Sequence, residues 1–120
     1  MTEKFNIEVD PSRKLFVVAV GGSFQISDAG GLAMAFLMEG SKIQTQTSEY
    51  TFVADMSELQ HVEQPLLDML EQAFKMYSSI GFKKLYVVES ASAETRQQIR
   101  ETAEKMNFGG EFVSSMDEVV

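Results

Sequence analysis

The stretch from Tyr50 to Tyr77 limits the possible folds of this chain more than any other. It opens with Tyr50-Thr-Phe-Val-Ala-Asp55, an apolar run of strand length that ends on a carboxylate. A polar loop follows, and Pro65 then stands where a helix loses nothing by lacking an amide proton. Beyond it, Leu66, Leu70, Phe74 and Tyr77 recur at helical spacing and define one apolar face. A buried strand that runs into an amphipathic helix is the repeating piece of an α/β layer, so a sheet with helices laid on it is required.

The flanking segments continue that pattern. Phe5, Ile7 and Val9 alternate with Asn6, Glu8 and Asp10, the period of an edge strand with one wet face. Asp10-Pro11-Ser12-Arg13 reads as a turn, which makes a hairpin with Leu15 to Val20. That second run is apolar on both faces, as a central strand covered by helices requires. Ser27 is placed to cap a first helix running from about Asp28 to Ile43, with Leu32, Ala33, Phe36, Leu37 and Met38 as a wide apolar stripe. Gly30 and Gly31 weaken its first turn. The second helix, from Pro65, ends at Gly81, and Lys84 to Glu89 forms the fourth strand. Ser92, Glu94 and Thr95 open a third helix with Ile99, Ala103 and Met106 on its inner face, stopped by Asn107-Phe108-Gly109-Gly110. Glu111 to Ser114 is a short last strand, and Ser115-Met-Asp-Glu118 matches a capping box that starts a brief terminal turn. The expected architecture is one α/β domain over residues 1–120. It has an N-terminal β-hairpin, a mixed and mostly parallel sheet with helices packed on it, and the order β-β-α-β-α-β-α-β.

Composition narrows the function. The 120 residues, 44% of them hydrophobic and 23% charged, suffice for a core without metal or disulfide staples. Eighteen acidic against ten basic side chains give a formal charge of −8, which repels a phosphate backbone, so no nucleic acid is expected as a partner. Cysteine is absent, which removes thiol chemistry and fits a reducing compartment. The first ten residues alternate charge and apolarity, unlike a secretory signal, and a cytoplasmic location is expected. The longest uncharged run, Leu15 to Ser27, is too short and too polar to span a bilayer, and no membrane insertion is expected.

Sheets of this kind place function at the carboxyl ends of their strands. Those ends are Gly21 to Phe24, Asp55 to Glu63 and Glu89 to Ser92. His61 is the only histidine, but acid–base work needs an orienting partner and a pocket, and neither is visible. Asp55, His61 and Glu63 carry ligand atoms at a spacing that matches no metal site. Gly21-Gly22-Ser23 offers backbone amides to a phosphate, yet neither GxGxxG nor GxxxxGK(S/T) is present, and glycine's freedom at a strand exit explains the pair. Ser23, Ser57, Ser90 and Ser92 lack the signature of an activated nucleophile. No catalytic residue, metal or cofactor is assigned, and the chain is expected not to be an enzyme.

Several local patterns together resemble STAS domains, the fold of bacterial anti-sigma-factor antagonists. Asp55-Met-Ser57-Glu-Leu59 is similar to the family's Asp-Leu-Ser strand end, and Leu66-Leu-Asp-Met-Leu70 to the start of its second helix. Ser90-Ala-Ser92-Ala-Glu-Thr-Arg96 resembles the segment before its third helix, and Phe112 to Val120 its closing strand and acidic turn. The family's Asp-Ser-Ser-Gly motif falls on Glu63, Gln64, Pro65 and Leu66, so the usual phosphorylated serine has no counterpart. Glu63 reads as a standing negative charge at a helix N-terminus or, more plainly, as a solvated carboxylate. The resemblance implies a cytoplasmic bacterial regulatory module that binds another protein, a homodimer included, without phosphorylation at that loop. The expected contact surface is Asp55, Ser57, His61, Glu63, Gln64, Pro65, Ser90 and Ser92. The alternative is a small carrier or sensor for an apolar ligand such as a lipid. Met34, Phe36 and Met38 would hold it between the first helix and the sheet, because methionine adapts to irregular surfaces.

Overall fold

Asp10 begins the structure's first tight turn. In a computed structural model that describes residues 5–21, 26–43, 45–59, 62 and 64–119, its Oδ1 accepts hydrogen bonds from the amides of Ser12 and Arg13 at 3.1 and 3.2 Å. The Ser12 hydroxyl adds a third at 2.7 Å. Pro11 follows, and Lys14 takes a left-handed conformation with φ 56°, so strands β1 (Phe5–Asp10) and β2 (Leu15–Val20) pair antiparallel from Asp10↔Leu15 to Phe5↔Val20. The remaining elements are α1 (Ala29–Ser41), β3 (Thr51–Asp55), α2 (Gln64–Ile80), β4 (Lys84–Val88), α3 (Ala93–Lys105) and β5 (Glu111–Val113). Short 3-10 turns occupy Ile26–Asp28, Thr47–Glu49 and Met116–Glu118.

The five strands lie in the order β1-β2-β3-β4-β5, and every pairing after the hairpin is parallel. Each crossover therefore steps one strand in the same direction, and right-handed crossovers then place all three helices on one face. Packing agrees. Phe16, Val18, Phe52, Ala54 and Val87 form one cluster with Phe36 of α1, Leu66, Leu70, Phe74 and Tyr77 of α2, and Ile99 and Ala103 of α3. The opposite face carries Leu15, Val53, Tyr86 and Val88, which pack on Val119 and Met116 from the C-terminal turn. The apolarity of β2 on both faces thus has a different origin from the expected helix layers. Helices cover one side of the sheet, and among the described residues the C-terminal segment covers the other.

Local chemistry sets the element ends. Ser92 caps α3, its hydroxyl accepting from the Thr95 amide at 3.4 Å. Gly81, at φ 95°, stops α2, and Asn107, at φ 55°, follows α3. At α1 the expected cap is displaced by one residue. A 3-10 turn precedes the helix, Asp28 rather than Ser27 holds the N-cap, and the helix closes at Ser41, before Ile43. The Glu118 carboxylate returns to the amides of Ser114 and Ser115 at 2.5 and 3.2 Å, the reach-back half of the capping box. The four buried side chains of α2 supply its docking energy, roughly 1.5–3 kcal/mol for each apolar side chain.

Candidate functional site

The carboxyl ends of β3 and β4 are joined by polar groups that satisfy one another. Asp55 Oδ1 accepts from the Ser57 amide at 3.1 Å and from the Ser57 hydroxyl at 2.6 Å, closing a turn immediately after the strand. Ser90 is 2% exposed. Its hydroxyl donates to the Leu59 carbonyl at 2.5 Å and accepts from the Ser92 amide at 3.1 Å. The Met56 amide reaches the Val88 carbonyl at 3.0 Å, and the Gln98 carboxamide contacts the Val62 carbonyl at 3.5 Å. Asp55, Ser57, Ser90 and Ser92 are therefore brought together, as architecture: Asp55, Ser90 and Ser92 each spend a side-chain oxygen on local backbone, and the Ser57 hydroxyl is spent on the Asp55 carboxylate. Gln64 and Pro65 are exposed in the first turn of α2, where the Gln64 carboxamide donates to Asp68 at 3.0 Å. His61 and Glu63, with Gly22 to Gln25, lie outside the described residues.

Next to these loops a cavity of about 290 Å³ opens between α1 and α2. Its floor is Val18 and Val20 of β2 and Ala54 of β3, with Met56 and Leu59 at the carboxyl end of the sheet. The wall from α1 is Ala29, Leu32, Ala33 and Phe36, one helix face by spacing. The wall from α2 includes Leu66, Leu70, Ala73, Met76 and Tyr77. Two causes keep the space from filling. α1 leans toward the hairpin, with Gly31 close enough to Phe5 that an added Cβ would meet that ring at 3.4 Å. Alanine, at positions 29, 33 and 73, stands where longer side chains would reach across. One end is closed by aromatic packing: the Tyr77 ring lies 5.7 Å from Phe36 and 4.3 Å from Phe52.

Tyr77 is the polar residue inside this apolar space. It is 6% exposed, and burial pushes its phenol up to about 12 from the ordinary 10.0. Gln72, on the exposed rim, is the other lining residue with a hydrogen-bonding side chain. No charged residue lines the cavity among those described.

Of the three residues expected to hold an apolar ligand, Phe36 lines the cavity. Met34 and Met38 stand on the other side of α1 and, with Leu37, are 66, 68 and 69% exposed. The helix is thus apolar on both sides, and only Phe36 is buried. Val20, Ala29 and Ala73 are not singled out by sequence reasoning, and Ala33 and Tyr77 read there as members of apolar helix faces, not as ligand contacts. The signal that could have exposed part of the set is the spacing Ala29, Leu32, Ala33, Phe36, in which small residues share a face with large ones. Among the described residues, no helix is long and apolar enough to cross a membrane. Comparison with models of known protein families and with curated proteins finds no match for the chain.

Proposed function

We propose that the chain is a non-catalytic binding domain that takes an apolar ligand in the cavity between α1 and α2. The observation that carries this reading is the cavity's lining. A space of about 290 Å³ with almost entirely apolar walls lies near the lower bound of ligand sites, about 300 Å³. It also adjoins the carboxyl ends of parallel strands, where such sheets bind. A well-packed interior leaves few voids larger than a water molecule. The test uses N-phenyl-1-naphthylamine, a neutral apolar fluorophore. Saturable one-to-one binding should raise the melting temperature and shift the methyl resonances of Leu32, Leu66 and Leu70. At a hundredfold excess over Kd the native state gains about 2.7 kcal/mol. Non-saturating binding, or shifts spread over the whole chain, refutes the assignment.

A second reading is the STAS-like regulatory module, in which the β3–α2 loop and the start of α2 contact another protein. It is supported by the order of elements and by the bonds from Ser90 to Leu59 and from Gln98 to Val62, which hold the described part of that loop in a set position. His61, Glu63 and Gln64 are its test residues. Alanine at each should leave the melting temperature unchanged and weaken a purified complex; unaltered affinity in all three removes this surface from consideration.

A further inference from the structure

If the cavity is a ligand site, as proposed above, the chemistry of its lining narrows what enters it. Among the described residues the Tyr77 hydroxyl has no hydrogen-bond partner, and burial alone accounts for its raised pKa. Every fully buried side-chain nitrogen or oxygen among those residues does have a partner. The hydroxyl is consequently in touch with open space, although the residue as a whole is 6% exposed and lines the cavity. A phenol donates a hydrogen bond more readily than it accepts one, so a ligand that displaces water from this hydroxyl must offer an acceptor or leave a buried donor unmet, which is costly. A carboxylate, by contrast, would lose its hydration here and find no cation among the described lining residues, in a chain whose formal charge is −8.

We propose that the ligand is an uncharged apolar molecule bearing one hydrogen-bond acceptor, a ketone, ester or ether oxygen, which the Tyr77 hydroxyl meets at the aromatic end of the cavity. The apolar walls supply affinity, and the hydroxyl fixes which end of the ligand enters first.

The experiment compares hexanophenone with its alkene isostere 2-phenyl-1-heptene and with octanoate, on the wild-type chain and on Tyr77→Phe. That substitution removes one oxygen and keeps the ring that packs on Phe52 and Phe36. Binding is read by displacement of N-phenyl-1-naphthylamine and by the methyl shifts of Leu32 and Leu70. Tyr77→Phe should weaken hexanophenone about three- to tenfold and leave the alkene unchanged or tighter. Octanoate should bind more weakly than the ketone to both proteins. Equal hexanophenone affinity in the two proteins, with the alkene still binding, overturns the role of Tyr77 while the cavity remains a ligand site. Octanoate binding as tightly as the ketone overturns the neutral-ligand assignment. Failure of both the ketone and the alkene to displace the fluorophore or shift the cavity methyls removes the ligand site itself, and this proposal with it.

Discussion

Ala73→Leu separates a ligand cavity from a loosely drawn core by the sign of its effect. Ala73 is half-buried midway along α2 and lines the cavity. Leucine there adds three carbons, each worth about 0.8 kcal/mol when buried. The cavity is open along one side, so roughly half of that gain, about 1 kcal/mol, is expected. Helix propensity subtracts little, because leucine ranks close to alanine. For a chain of this size that corresponds to a rise of about 4 °C in melting temperature. Had α1 and α2 been in full contact, the same substitution would overpack the interface and cost about 1–3 kcal/mol. Calorimetry on the ligand-free protein reads the sign, and N-phenyl-1-naphthylamine titration of the same sample should show affinity at least about tenfold weaker. A fall in melting temperature with unchanged fluorophore affinity would refute the geometry on which the reading stands.

Ser90→Ala removes the donor to Leu59 and the acceptor for Ser92 at a buried site. It should cost about 1–3 kcal/mol in denaturant unfolding and speed amide exchange in the loop after β3. Gly110→Ala places a Cβ against the ring of Phe108 and 2.9 Å from the Leu85 carbonyl oxygen. The ring is buried, its centroid 4.8 Å from that of Phe74, so chemical denaturation should show a loss of about 1–3 kcal/mol. The Glu118 carboxyl is held below its ordinary 4.5 by the Ser114 hydroxyl and by the amides of Ser114 and Ser115. A depressed carboxylate stabilises the fold above its unfolded pKa, and that stabilisation is lost as pH falls through the folded one. Acid should therefore loosen the C-terminal turn, seen as shifts of the Val119 methyls, and Glu118→Gln should flatten that dependence.

The fold was legible because its signals are local and agree with one another. The alternation of β1, the apolar run of β3 and the four-residue face of α2 each identify an element within a single window, and the element order follows. The boundaries that moved are those where two local solutions compete. Ser27 and Asp28 are both good caps, and a 3-10 turn that places Asp28 at the helix start was not encoded in residue type. The covering of the second sheet face was hidden for a different reason. Leu15 and Val53 ask only to leave water, and nothing in their own windows says that Val119, far along the chain, will cover them.

The cavity was less legible, since a void belongs to no residue. It arises where Ala33 and Ala73, on different helices, face the same volume and a third constraint, α1 seated near Phe5, keeps those helices from closing it. Each alanine alone reads as a good helix former. The serine-rich loops drew attention because polar residues at strand ends are conspicuous, yet Asp55 and Ser90 are consumed in holding backbone and the Ser57 hydroxyl in holding Asp55. That expenditure is itself informative. Ser90 pins Leu59, and Leu59 and Met56 edge the cavity, so the bonded loop fixes one end of the space while the Tyr77–Phe36–Phe52 ring packing fixes the other. With both ends held by such contacts, the apolar walls between them meet a ligand in a shape already set, and less ordering free energy is lost on binding.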